Sequence, residues 1–96
     1  MNETEARKIL NQVIDPEIGI GIIDLGLIYT VQIEGDAVNI VMTLTTPACP
    51  YVDSILEQIQ TFFELEEMEA SVRIVFDPSW NKSMIAEHIL IEKGLI

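Results

Sequence analysis

Apolar residues recur along the 96-residue chain with two periods, and each change of period marks an element. Ile9, Leu10 and Val13 lie at helical spacing behind Asn2 and Glu5, which fit a capping box. A first helix is therefore predicted from the N-terminus through about Val13. Asp15-Pro16-Glu17 closes it, because a residue before proline is pushed out of the helical region. Gly19, Gly21 and Gly26 make the next stretch irregular. The period then drops to two: Leu27, Tyr29, Val31 and Ile33 face one way, and Thr30, Gln32 and Glu34 the other. Gly35-Asp36 reads as a two-residue hairpin turn. The return strand is predicted from Ala37 to Thr45, with Val38, Ile40, Met42 and Leu44 on its inner face.

Thr46-Pro47-Ala48-Cys49-Pro50 forms a loop, after which helical spacing returns. Val52, Ile55, Leu56, Ile59, Phe62 and Phe63 make one apolar stripe. Glu64 to Glu69 is an acidic connection. Val72, Ile74 and Phe76 alternate as a third strand, closed by Asp77-Pro78. A last helix is expected to open near Asn81 and stop at Gly94, a suitable residue just past a helix end. The order αββαβα predicts an α/β (α+β) fold, a single two-layer domain over residues 1–96. Its small mixed sheet would carry helices mainly on one face.

Charge changes the picture of partners. Sixteen acids against five bases give a formal net charge of −11, a field that repels phosphate backbones and anionic headgroups. Neither nucleic acid nor membrane is expected as a partner, whereas a basic protein surface or a metal cation is allowed. No apolar run approaches the roughly 20 residues of a bilayer span. The start MNETEARKIL reads as an acidic amphipathic segment and not as a signal peptide. A single cysteine allows no internal disulfide, so a cytoplasmic, reducing location is expected.

That cysteine is the candidate chemical centre. With Pro50 at the first helical position, Cys49 would stand at or beside the helix cap, facing unpaired backbone N–H groups. Such a position favours thiolate over thiol and can lower a cysteine pKa from about 8.5 to roughly 3.5–7.5. A buried structural cysteine is the other reading. One thiol cannot supply a four-cysteine cage, so any metal would be held transiently or shared across a dimer. His88 is the lone histidine, and a structural role on the last helix suits it better than that of a base for Cys49.

Asp15 and Glu17 flank a proline, as either a solvated turn or a pair of hard ligands or proton carriers. Asp24 could cap the start of the first strand. Thr45 and Thr46 run into the cysteine loop and could bond its backbone or donate to sulfur. Trp80, after Asp77-Pro78-Ser79, suits a packing anchor more than a binding platform.

Taken together, four blocks closely resemble one family. They are Asp15-Pro16-Glu17-Ile18-Gly19, Asp24-Leu25-Gly26-Leu27-Ile28-Tyr29, Met42 through Pro50, and Asp77-Pro78-Ser79-Trp80. The family is that of small metal–sulfur cluster assembly proteins, once a domain of unknown function, which includes the SufT and PaaD proteins. A cytosolic iron–sulfur assembly component of eukaryotes carries the same domain. The resemblance spans nearly the whole chain and implies a compact domain similar to the C-terminal domain of NifU-type scaffolds. It implies a non-enzymatic role in maturing iron–sulfur proteins, with an iron–sulfur cluster or iron held transiently. Scaffold and client proteins are the implied partners, and a homodimer is allowed. Cys49 is the implied key residue, with Asp15, Glu17, Thr45 and Thr46 lining the same surface and Asp24 and Trp80 nearby. This chain has Pro78-Ser79-Trp80 where the family often shows Pro-Pro-Trp. It also stops at Ile96, without the cysteine-bearing extension of PaaD-type members, which favours a SufT-like form over an oxygenase subunit. An acidic adaptor with a structural thiol is the alternative from another class.

Overall fold

Asn2 opens the first helix, α1 (Glu3–Leu10): its side-chain oxygen accepts from the Glu5 N–H at 2.8 Å. This satisfies one of the donors that a helix start leaves without a partner. The computed structural model describes residues 1–47 and 50–92. The helix ends three residues short of Val13. Asn11, its C-cap, turns its side chain onto Asp24, and Gln12 and Val13 bond back three residues in a tighter turn. The long-range Asn11–Asp24 pair thus competes with further helix.

β1 (Ile28–Glu34) and β2 (Ala37–Met42) form the expected hairpin about Gly35, whose φ is +59°. Register shifts between Ile28 and Thr30, leaving Tyr29 as an extra residue. That bulge overturns the expected alternation: Ile28 faces the core beside Met42, and Tyr29 aims its hydroxyl elsewhere. β2 is also shorter than predicted, ending at Met42 although Leu44 remains buried.

α2 (Val52–Glu64) buries Ile55, Ile59 and Phe63, the centre of the predicted stripe. Its cap is Tyr51, so Pro50 lies outside the first helical position and Cys49 stands two residues ahead of the cap. The expectation that Pro50 takes the first helical position is therefore corrected. Cys49 itself lies outside the described residues.

β3 (Glu69–Ile74) pairs parallel to β2, giving the order β1-β2-β3 in a mixed sheet. It starts within the stretch read as a connection and leaves Phe76 outside, 42% exposed. α1 packs on β1, α2 on β3, and the two helices touch each other. Helices thus cover one face, as expected, while Thr30, Gln32, Asn39, Val41, Ser71 and Arg73 line an open depression on the other. One cluster of buried apolar side chains joins α1, the sheet and α2. Full burial of each large side chain there contributes roughly 1.5–3 kcal/mol.

The predicted last helix is broken. Asn81 caps a 3-10 turn (Lys82–Met84), Ile85 is extended, and α3 (Glu87–Glu92) follows. The break has a cause: the Ala86 N–H is drawn to the Asp24 carbonyl at 2.7 Å, which holds the chain against the core. The expected stop at Gly94 lies outside the described residues.

Candidate functional site

The residues singled out from sequence fall into two groups. Asp15 and Glu17 share one turn. Asp15 is 2% exposed, and its Oδ1 accepts from the Glu17 N–H at 2.9 Å. Its carbonyl accepts from the N–H groups of Ile18 and Gly19, where Gly19 takes a φ of +78°. Across the turn, the Asp15 N–H meets the Ile20 carbonyl and Ile14 bridges Gly21. Residues 13–22 therefore form a tight hairpin that presents an exposed Glu17 beside a buried Asp15. Among the described residues nothing bonds the Glu17 carboxylate.

Backbone hydrogen bonds carry this hairpin to the sheet. Ile22 donates to Val13, Leu27 to Ile22, and Thr43 to Leu27. Thr43 begins the run toward Thr45, which is half-buried, and Thr46, which is exposed. Thr43 was not singled out from sequence, yet it is fully buried and its hydroxyl has no hydrogen-bond partner among the described residues. Its place between two apolar residues, Met42 and Leu44, carried no signal. Gln58 on α2 was also missed. Its amide bonds both the N–H and the carbonyl of Ile14, at 3.3 and 3.2 Å, and pins the hairpin to the helix.

Asp24 and Trp80 belong to the second group. Asp24 takes the Asn11 side-chain amide on its carboxylate at 3.2 Å and gives its N–H to the Asn11 oxygen at 3.1 Å. It caps no strand. His88 Nε2 lies 3.6 Å from the other Asp24 oxygen, on a side chain 62% exposed. Trp80 donates its indole N–H to the Leu25 carbonyl at 2.7 Å. The Tyr29 hydroxyl donates to the Pro78 carbonyl, also at 2.7 Å. Between them Gly26, with φ +76°, lies so close to Met84 that an added Cβ would overlap its carbonyl. The stretches Asp24–Tyr29 and Pro78–Ala86 thus interlock, largely through backbone acceptors.

Among the described residues no three of His, Cys, Asp or Glu are grouped as metal ligands. No helix among them is long and apolar enough to cross a membrane.

These features define a class, the small α+β domain with a three-stranded mixed sheet and a carboxylate hairpin at its side. A family model described as iron-sulfur cluster assembly protein matches residues 3–75, and the chain belongs to that family. It is 41% identical to the Fe-S protein maturation auxiliary factor SufT of Staphylococcus aureus, covering 86% of this chain and 98% of that one. An Fe-S protein maturation auxiliary factor of Porphyromonas gingivalis is 39% identical, over 98% of this chain and 92% of its own length. Among solved structures, a domain of unknown function (DUF59) from Bacillus anthracis superposes with a TM-score of 0.90 at 31% identity. That likeness covers 98% of this chain and 92% of the other.

Proposed function

We propose that this chain is an iron–sulfur maturation factor of the SufT kind that helps insert clusters or iron into client proteins through Cys49. The reading rests on one observation: relatives matched over nearly the whole chain are named Fe-S protein maturation auxiliary factors. The chemistry is consistent with it. A thiolate is a soft ligand suited to iron–sulfur clusters. One thiolate per chain is too few to cage a cluster, so the cluster is cargo that is passed on.

Delivery is then ligand exchange. An iron–sulfur bond to Cys49 breaks as one to a client cysteine forms, and the client thiol's proton leaves to water or to the exposed Glu17 carboxylate. No oxidation state changes. The protein acts without turnover chemistry of its own, in the cytoplasm, between a scaffold that supplies clusters and the clients that receive them.

A second reading, the acidic adaptor, is favoured by one feature. Asp36, Glu64, Glu67 and Glu69 line a depression of about 390 Å³ at the hairpin end of β2. Six residues of strand, about 20 Å, separate that end from the thiol loop. A basic partner could dock there without engaging Cys49.

One experiment separates the readings. Wild type and Cys49→Ser are reconstituted anaerobically with iron and sulfide, and each is tested for restoring client activity in cells lacking the factor. The variant is expected to fold normally, bind no cluster and restore nothing. Full restoration by Cys49→Ser would remove the thiol from the mechanism and leave the adaptor.

A further inference from the structure

Beside the stripe that meets the core, α2 carries a second line of positions that faces away from it. Tyr51, Gln58 and Leu65 follow one another at intervals of seven, with Ser54 and Thr61 between them. Seven residues are close to two helical turns, so these positions form one seam about 20 Å long. Ser54, Gln58 and Thr61 line a depression of about 220 Å³ there, together with Glu57 and Phe62. The Gln58 amide bonds both backbone groups of Ile14, which lays the 13–22 hairpin alongside the seam. Apolar surface stays open along it: Leu65 is 75% exposed, and Tyr51 and Ile14 are 39% exposed each.

Charge narrows what fits this seam. No lysine or arginine occurs from Ile9 through Val72. Glu57 and Glu64 border the seam, one position ahead of Gln58 and Leu65. The last turn of α2 has no basic residue, and Glu64, Glu66 and Glu67 stand where the negative end of the helix dipole favours cations. That arrangement is unfavourable in the free chain and is relieved by positive charge brought from outside. A second copy of the chain would bring the same acids to the seam and no base.

We propose that the α2 seam is a docking face for an amphipathic helix of a partner protein, with apolar side chains at heptad spacing and lysine or arginine flanking them. A helix laid against a helix is the geometry that such a seam supports, and the flanking charges decide which partner is accepted. Such docking needs nothing of Cys49. Its place also differs from the acidic depression at the hairpin end of β2, which Gln60 and Glu69 line.

The test titrates a synthetic leucine–lysine helix, with leucine at the a and d positions of about two heptads, against the whole chain by fluorescence anisotropy. The wild-type chain should bind it, and a peptide with glutamate in place of lysine should stay free. Leu65→Ser removes an exposed apolar contact and should weaken binding about tenfold. Ile91→Ser, at a 61% exposed position on α3, should leave binding unchanged. Glu57→Gln should weaken it about threefold, and Glu69→Gln should not. Thr61→Lys puts a like charge on the seam at an exposed position; it should also weaken binding about tenfold, and it carries the test if Leu65→Ser fails to fold. Amide shifts on titration should centre on Gln58, Thr61 and Leu65. Failure of the wild type to bind the lysine peptide overturns the proposal. So does equal weakening by Leu65→Ser and Ile91→Ser, or by Glu57→Gln and Glu69→Gln, which would mark attraction by the whole charge. Shifts centred on Glu67 and Glu69 overturn it by moving the docking to the acidic depression. A dimer of the chain alone that Leu65→Ser dissociates overturns it too, because a second copy would then cover the seam.

Discussion

The Asp15–Glu17 hairpin and the Asp24–Trp80 interlock are built from the same kinds of residue, yet they spend their polar groups differently. In the interlock three side chains are each spent on a partner: the Asp24 carboxylate holds Asn11, the Trp80 indole holds Leu25, and the Tyr29 hydroxyl holds Pro78. The hairpin satisfies its backbone with a buried Asp15 and leaves Glu17 facing solvent. An acidic residue two positions before a glycine is thus a joint in one region and an available group in the other. Residue type does not separate the two; the inventory of partners does.

Three substitutions probe that contrast, ordered by their expected cost in stability. Gly26→Ala should be the most damaging. A side chain there meets both a positive φ and the Met84 carbonyl. Strain and overlap together should cost about 3–5 kcal/mol, seen as an earlier urea midpoint. Trp80→Phe keeps the ring and removes the bond to Leu25, for about 1 kcal/mol. Any loss of client maturation by that variant should track its loss of folded protein. Glu17→Gln should cost least, less than about 0.5 kcal/mol of stability at an exposed position, with the urea midpoint scarcely moved. Its client maturation should nevertheless fall about tenfold, below the hundredfold of a committed proton-transfer group because water can substitute. If Glu17→Gln behaves like Trp80→Phe, with function following stability, the hairpin is only another joint.

Much of the fold was readable because its signals are local. The Gly35 turn, the apolar stripe of α2 and the cap at Asn2 each depend on residues within a few positions of one another. The errors share the opposite property. α1 stops early because Asn11 meets Asp24, thirteen residues on, and the last helix breaks because Ala86 is drawn to the same Asp24. The bulge at Tyr29 accompanies a contact with Pro78, forty-nine residues away. Periodicity carries no trace of such pairs. The site was readable in the same uneven way. Asp15 and Glu17 stand out as acids around a proline, whereas Gln58 and Thr43 look like ordinary helix and strand residues. Only the hairpin packed against α2 gives Gln58 its task, and only burial makes the Thr43 hydroxyl notable.

The interlock also bears on what counts as the minimal unit of this protein. The stretch matched by the family model ends at residue 75, but Trp80, Ile85 and Ile89 beyond it complete the apolar interior. A version trimmed to the matched stretch would lose those side chains from the core and set free the carbonyls of Asp24 and Leu25. Swapping domains between such factors, or fusing one to a scaffold, therefore has to carry the tail through Glu92 as part of the body.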